Sequence, residues 1–407
     1  MSQTTIPVSR RNGIHLRLPV RVAAGWRWID LIWIVGLALM VFGAWGMWQR
    51  AQYGLAPTRL SSYVPWGLWV GFYDYLVWLE VGSIMVFTGL LYLAGYKQLA
   101  RLKPTVLFTG LVVLIMALFI VFLDLGHPER FWHVLVYPDF TSMITWMVWL
   151  HSLYLVVLVI ELVLTLFGGR SSGRLLHALG LLTLPMGLAL IFVSGSVFGV
   201  VAARPLWNAS ILPLMFFFSA LATGANVLLL LIVVFWPDKS SADYRQVVQS
   251  IARLAAWLLL GGVFAAGVIA FTALYHGSPA RTDALLLILT GPYWWSFWIL
   301  HIVLGVLVPL FILFTASHRP AWVGLAALLS IVTFVTVTLN IVIPVLATPE
   351  IEGLATAFVH PKLSLDYVPN LTEWMVIAFV FGVGGLIYGL GLRWLPVWPH
   401  SVEAHNE

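Results

Sequence analysis

The sequence contains no cysteine, although the chain is 407 residues long. Iron–sulfur clusters, covalently attached haem and disulfides all need thiols, so this chain carries none of them. If the protein takes part in redox chemistry, most of the redox centres must lie on partner chains. The composition therefore favours a role that depends on other subunits.

Charged residues are also scarce. They make up 9% of the chain, whereas 61% of its residues are hydrophobic and the mean hydropathy is +0.98. Soluble domains carry roughly a quarter charged residues. Because no water-soluble core needs so much apolar surface, we expect an all-α integral membrane protein. The net charge of +5 is modest and indicates membrane orientation, not a nucleic-acid partner.

Apolar runs long enough to cross the hydrocarbon layer, about 20 residues each, recur along the chain. Inside lipid a single segment satisfies its backbone only as a helix. We therefore predict ten transmembrane helices, at 29–48, 67–94, 105–124, 143–167, 175–201, 212–236, 251–275, 293–317, 322–346 and 372–395.

Lys and Arg are divided unequally between the two sides of the membrane. The segments on the amino-terminal side hold 15 of the 21 basic residues and the opposite loops hold 6. Basic loops stay in the cytoplasm, which predicts a bacterial inner-membrane protein with both termini cytoplasmic. The outer loops are longer and rich in Pro, Trp and Tyr, so we expect a peripheral partner there; they comprise 50–66, 125–142, 276–292 and 347–371.

Two stretches of the sequence resemble one another. His127 precedes His151 by 24 residues and His276 precedes His301 by 25, each pair with aromatic and proline residues between. Parallel repeats of this kind recur in membrane proteins. We predict two four-helix bundles, helices 2–5 and 6–9, with helices 1 and 10 peripheral. The expected segments are a cytoplasmic stretch 1–27, helix 1 with its loop (28–63), the bundles (64–207 and 208–346) and a carboxyl-terminal part (347–407).

Ionisable or amide side chains within the predicted helices are functional candidates, because burying them in lipid is expensive. Asp74, His151 and His301 lie on the order of 12 Å below the outer surface at about 1.5 Å per residue. Glu80 lies near the middle and Glu161 approaches the inner face. A candidate proton path is formed by Asp74, Glu80, Glu161, His301 and Asn340, and no metal site is predicted. Each group also has a purely structural interpretation, because a buried carboxylate or imidazole can bond to unpaired backbone groups of an interrupted helix or pair with an arginine.

Two other functions remain open from the residues alone. A b-type haem needs two axial ligands that face each other across a bundle, and the repeat places His151 and His301 in different bundles, so haem b is not expected. A secondary transporter or ion channel would also have repeated bundles with proline-interrupted helices. Pro185 and Pro309 lie within predicted helices and give this alternative weak support.

Several motifs resemble those of the NrfD/PsrC superfamily of membrane subunits, within it the ten-helix branch typified by the HybB subunit of membrane-bound hydrogenase. They cover most of the chain in a matching order. They are Val64–Pro65–Trp66–Gly67–Leu68–Trp69 followed by Asp74, the segment from Leu123 to Trp132, Ser142 to Trp146, Arg204–Pro205–Leu206–Trp207, Leu212–Pro213, Thr223–Gly224, Phe297–Trp298 with Pro309, Asn340 to Pro344, and Tyr367 to Glu373.

The resemblance implies that the chain exchanges electrons between membrane quinone, either menaquinone or ubiquinone, and an outer ferredoxin-like subunit with four iron–sulfur clusters. That subunit would connect to a catalytic subunit, which is a molybdopterin enzyme, a hydrogenase or a multihaem cytochrome. The resemblance also implies a quinone site at the outer end of the first bundle. Its candidate residues are Trp66, Asp74, Asp124, Arg130, Trp132, His151 and Arg204.

Two positions depart from the family pattern. Helix 8 often carries Phe-Trp-x-Glu, whereas here His301 follows Trp298 with the spacing shifted. Helix 9 often has an arginine two residues before its asparagine, and this sequence has Thr338 there. Both positions belong to the presumed ion path of the second bundle, and neither affects the quinone site.

Overall fold

The computed structural model describes residues 29–169, 172–276, 278–351, 353–357, 360 and 362–398. The predicted cytoplasmic segment 1–27 lies outside these residues. Within the described part, ten helices are long and apolar enough to cross a membrane, and no strand is present. They are α1 Asp30–Tyr53, α2 Leu68–Leu93, α3 Lys97–Asp124, α4 Met143–Phe167, α5 Gly173–Gly199, α6 Leu212–Phe235, α7 Ala242–Tyr275, α8 Ser296–Thr315, α9 Pro320–Leu346 and α10 Leu371–Trp394.

The predicted helices are all present, but some boundaries differ. α7 begins at Ala242, nine residues before the predicted start at 251. The added residues include Asp243 and Arg245, so an apolar window misses them although the backbone remains helical. The first six residues of α3, Lys97–Leu102, form a 3-10 helix. A further helix, Pro279–Leu289, lies in a connection that the sequence predicted as loop, and it buries Ala284, Leu285 and Ile288.

The spanning helices form the two expected bundles. In the first bundle (α2–α5), α2 packs on α3, α3 on α4, α4 on α5, and α5 returns to α2; α6–α9 close a second bundle in the same way. The bundles meet mainly through α2 and α6. Gly82 and Gly224 face each other at this crossing, and a Cβ on either would overlap the backbone of the other helix.

α1 and α10 pair with each other outside the two bundles and rest on α3. Their contact is lined by glycines, among which Gly36 and Gly382 bring the two backbones together. Small residues permit this approach where lipid removes the usual hydrophobic drive. α10 begins with a capping box in which Asn370 and Glu373 bond to each other's backbone N–H.

We call the membrane side at which α2, α4, α6, α8 and α10 begin the loop side. Each bundle has a short helix in a loop-side connection, His133–Val136 before α4 and Pro279–Leu289 before α8. His151 lies on α4 and His301 on α8, which are corresponding helices of the two bundles. The part of α8 that carries His301, Ser296–Leu307, is a π-helix.

Candidate functional site

His151 is the ionisable group of α4 nearest to the loop side, and it is fully enclosed by the first bundle, with 1% of its surface exposed. Its Nδ1 lies 2.8 Å from the carbonyl oxygen of Met147. Because a carbonyl only accepts hydrogen bonds, Nδ1 must carry the hydrogen, and Nε2 of the neutral ring is left as an acceptor. That Nε2 has no hydrogen-bond partner among the described residues.

Asp74, on α2, is also buried, and the ring of its neighbour Tyr73 lies 6.0 Å from the His151 ring. Its carboxylate accepts a hydrogen bond of 2.9 Å from Ser194 on α5. One helical turn nearer to the loop side on α5, the ring of Phe198 contacts both Trp66 and Trp207, and these two indoles stack at 5.9 Å. The first bundle therefore holds a buried carboxylate and imidazole below a layer of aromatic side chains.

A line of unpartnered polar atoms continues from His151 toward the other side of the membrane. Tyr154 and Glu161 follow His151 on the buried stripe of α4. Both carboxylate oxygens of Glu80 on α2 and the hydroxyl of Tyr154 lack hydrogen-bond partners among the described residues. Tyr154 lies within electrostatic reach of Glu80 and of Glu161. Buried polar atoms without partners indicate bound water or a functional role.

The line ends at an ion pair. Lys103 Nζ lies 2.9 Å from Oε1 of Glu161, with side-chain exposures of 10% and 2%. The same ammonium donates a hydrogen bond of 2.7 Å to the hydroxyl of Tyr92. Because Lys103 begins the α-helical part of α3, near the end of that span, it connects the buried stripe to the side opposite the loops.

The other candidates of the first bundle lie apart from Asp74 and His151. Asp124, at the end of α3, is within electrostatic reach of Arg50 on α1 and Glu373 on α10, and its buried Oδ1 has no hydrogen-bond partner among the described residues. Arg130 and Trp132 lie in the loop 125–142, where their side chains are 64% and 44% exposed. The structure therefore places these three residues around the bundle and its loop-side surface.

Arg204 is buried but points toward the second bundle. It donates hydrogen bonds to the carbonyls of Val345 and Thr348, at 3.2 and 2.7 Å, and pairs with Glu350 at 3.0 Å. Burial lowers the pKa of its guanidinium below the ordinary value, and Glu350 opposes that shift. Arg204 thus holds the carboxyl end of α9, where carbonyls have no intrahelical partner.

In the second bundle, His301 and Asn340 line one cavity of about 290 Å³. Asn340 Oδ1 accepts a hydrogen bond of 3.2 Å from Ser296, while its Nδ2 has no partner among the described residues. Thr338, at the position where the family often has arginine, donates to the carbonyl of Gly71 at 2.8 Å. Thr338 therefore joins α9 to α2 and adds no charge to this bundle.

Sequence reasoning missed several groups at the site. Ser194, Tyr154 and Lys103 all contact or approach the candidate carboxylates. A signal existed for Tyr154, because it follows His151 at helical spacing and precedes Glu161. Nothing local in the sequence assigns Ser194 to Asp74, since 120 residues separate the two.

Comparison with known proteins agrees with this architecture. The family model described as "Polysulphide reductase, NrfD" matches residues 58–350. The chain is 28% identical to a selenate reductase subunit of Mesobacillus selenatarsenatis, with 90% of this chain and 94% of that protein covered. It is 24% identical to the Hdr-like menaquinol oxidoreductase integral membrane subunit of Archaeoglobus fulgidus (84% and 87% covered). The identity is also 24% to the menaquinone reductase integral membrane subunit of Nitratidesulfovibrio vulgaris (91% and 92%).

Proposed function

Since the chain belongs to the polysulphide reductase NrfD family, we propose that it is the quinone-interacting membrane anchor of a multi-subunit respiratory oxidoreductase. It exchanges electrons between the quinone pool and an iron–sulfur partner. Two of the relatives are named for menaquinol or menaquinone, so menaquinone is the proposed substrate. The observation that supports placing the quinone site in the first bundle is the buried Nε2 of His151, which has no hydrogen-bond partner among the described residues.

His151 is suited to accept a proton from a quinol hydroxyl. Its Nδ1–H donates to Met147, which fixes the tautomer and leaves the lone pair of Nε2 available. Asp74, whose carboxylate accepts a hydrogen bond from Ser194, is the second polar group proposed to contact the quinone ring. The aromatic layer of Trp66, Phe198 and Trp207 would provide the apolar wall that a quinone site needs. Oxidation of the quinol releases two electrons to the partner and two protons to this chain.

The protons have a candidate route away from the site. Glu80, Tyr154 and Glu161 form a line of buried groups from His151 to Lys103. Proton relays in membrane proteins are built from such carboxylate and histidine chains. In the second bundle, His301 and Asn340 lie apart from this line, which makes the first bundle the better candidate for proton transfer.

The loop side is the proposed docking surface for the iron–sulfur subunit, which we place on the periplasmic face. The loop 125–142 exposes a group of large apolar side chains, far more than a free aqueous surface normally carries in so short a segment. They are Phe131, Trp132, Val136, Tyr137 and Phe140. Arg130 and Glu129, which form an exposed ion pair at 3.8 Å, lie beside them. A ferredoxin-like subunit with four clusters would bring its nearest cluster close to the first bundle, and a catalytic subunit would attach to it.

The test is to purify the native complex in mild detergent and determine its polypeptides and its iron, molybdenum and haem content. The expected result is a co-purified iron–sulfur subunit and oxidation or reduction of a menaquinone analogue by the whole complex. The polypeptides would also identify the catalytic subunit.

An isolated polypeptide without iron and without quinone-dependent activity would overturn the proposal. A visible spectrum with b-type haem bands that belong to this chain would do the same. In the first case the transporter interpretation would replace the quinone anchor.

A further inference from the structure

The second bundle contains a cavity whose polar groups the proposed function does not use, although Trp207 of the aromatic layer also lines it. It has a volume of about 290 Å³ and lies among α6, α7, α8, α9 and the helix Pro279–Leu289. Its walls are almost entirely apolar and include Met215, Ile269, Leu285 and Phe297. Small-molecule sites in proteins begin at about this size and have this composition, an apolar lining with a few polar groups.

The packing of α8 explains why the cavity exists. The half of α8 nearer to the opposite side, Val308–Thr315, packs on α7, whereas the π-helical half, Ser296–Leu307, packs on α9 and on Pro279–Leu289. On α7, the facing residues Ala266, Gly267 and Ala270 are small. Gly267 is exposed, and a Cβ there would meet no atom within 4 Å. The gap between α7 and α8 is therefore open toward the lipid-facing surface.

Two polar side chains face this apolar space. Asn340 is buried, and its Nδ2 donor lacks a partner among the described residues, because Ser296 occupies only the Oδ1 end of the amide. His301 is also buried, at 7% exposure, and its ring contacts Phe297 and Phe334. No hydrogen bond joins its imidazole to the described part of the chain. An unpartnered buried amide donor is destabilising, so a ligand that accepts this hydrogen bond would be stabilised.

We propose that the cavity binds the ring of a membrane quinone, with Asn340 Nδ2 donating to one ring oxygen and His301 beside it. This is a second site: it borders the aromatic layer of the first-bundle site through Trp207 but does not include Asp74 or His151. Both its access and its chemistry fit a quinone: the opening faces lipid, the walls accept an apolar ring, and the polar groups match a carbonyl. An acyl chain, in contrast, supplies no acceptor for Asn340.

The test uses a menaquinone analogue that carries a photoreactive azide, applied to the purified native complex. After illumination, the cross-linked residues are identified by mass spectrometry, with and without an excess of unmodified menaquinone analogue. We expect label on 263–270 of α7 and 297–302 of α8 that the competitor removes, in addition to label in the first bundle.

Two substitutions examine the site itself. Gly267→Phe places a ring in the opening and should lower second-bundle labelling by roughly tenfold or more, the factor for about 1.4 kcal/mol of lost affinity. Asn340→Leu keeps the size of the side chain but removes the donor, and should lower labelling roughly two- to tenfold. Gly89→Phe is the matched control, because a Cβ at Gly89 also meets no atom within 4 Å and this residue lies outside the cavity.

Each labelling result either supports or overturns the second quinone site. Label in the first bundle but none on 263–270 or 297–302 of the wild-type complex would overturn the second site and leave the proposed function intact. Label there that a phospholipid competes away and menaquinone does not would assign the cavity to lipid and also overturn the proposal. Absence of quinone label from both bundles, without quinone-dependent activity, would refute the proposed function as well. The wild-type map decides the second site even if a variant fails to assemble.

Discussion

At the scale of single residues, the position of one hydrogen determines what His151 can do. Its Nδ1–H is committed to the helix backbone at Met147, so the free Nε2 is an acceptor. A proton taken up there would lie on the same buried stripe as Tyr154 and Glu161. The hydrogen bond to the backbone of α4 therefore makes Nε2 the atom of His151 that can accept a proton.

Replacing this imidazole should stop quinol oxidation without loss of assembly. We expect His151→Leu to lower the rate of menaquinol-analogue oxidation by about 10²–10⁴, the usual contribution of a positioned acid or base. His318→Leu, in the connection between α8 and α9, is the control and should keep the wild-type rate. The measurement is the steady-state rate of the purified complex; equal rates for His151→Leu and wild type would contradict the assigned role.

The ion pair of Lys103 and Glu161 should matter for stability. Lys103→Met leaves the Glu161 carboxylate buried without its cation, which costs about 3–5 kcal/mol for comparable pairs. The double variant Lys103→Met/Glu161→Gln should recover much of that loss, because no unpaired charge remains. Thermal unfolding of the detergent-solubilised complex measures both. A single variant as stable as wild type would show that Glu161 is neutral or has another partner.

At the scale of helices, close backbone contact between α2 and α6 joins the two bundles. Gly82 and Gly224 permit it because neither has a side chain. The carbonyl of Gly71 on α2 also accepts a hydrogen bond from Thr338 on α9. α2 is therefore the central element, carrying Asp74 and Glu80 toward the first bundle while it contacts the second.

Adding one methyl group at this crossing should destabilise the protein. Gly224→Ala places a Cβ on the backbone of Gly82, and overpacking of this kind costs roughly 1–3 kcal/mol. Gly89→Ala adds the same group in open space, where higher helix propensity makes it neutral or slightly stabilising. Comparison of their unfolding temperatures is the measurement. Similar temperatures for the two variants would mean that the bundles separate at little cost.

At the scale of the whole molecule, the sidedness of the loops determines where a partner docks. The side on which each loop lies can be measured by thiol labelling. Because the chain has no native cysteine, only the introduced thiol of this chain can react. Tyr137, in the loop 125–142, is 74% exposed, and Lys239, in the connection between α6 and α7, is also exposed.

We expect Tyr137→Cys to react with a membrane-impermeant maleimide in intact spheroplasts. Lys239→Cys should react only after the membrane is permeabilised, because the basic connections stay in the cytoplasm. Gel-shift labelling of each variant is the measurement. The reverse pattern would place the loop side in the cytoplasm and move the proposed iron–sulfur partner to that side.

The secondary structure and the bundle grouping could be predicted from the sequence to a large extent. Apolar runs indicated the ten helices because lipid imposes both their length and their helical backbone. The two histidine spacings indicated the pairing of α4 with α8 as corresponding helices. The helix Pro279–Leu289 was missed because its 11 residues are too few for a spanning run. The first turns of α7 were missed because they carry charged residues.

The candidate site was only partly predictable. Asp74, Glu80, His151 and Glu161 were identified because ionisable groups are rare within spanning helices. Their surroundings were not, since Ser194 and Lys103 reach them from other helices. Arg204 and Asp124 were assigned to the quinone site through family motifs, and both assignments stay predictions. The hydrogen bonds of Arg204 to the carboxyl end of α9 are contacts that a linear motif does not reveal.

The sequence by itself determined that this protein lies in the membrane, that it crosses ten times and that it carries no thiol-bound redox centre. These conclusions follow from the composition and from the length of the apolar runs, because the free energy of transfer from water to lipid depends on the residue types alone. The tertiary structure alone decided which polar groups lack partners and where space remains. His151 Nε2, the open side of Gly267 and the cavity of His301 and Asn340 exist because particular helix faces meet or separate. Such meetings depend on contacts between residues far apart in the chain, and no local pattern records them.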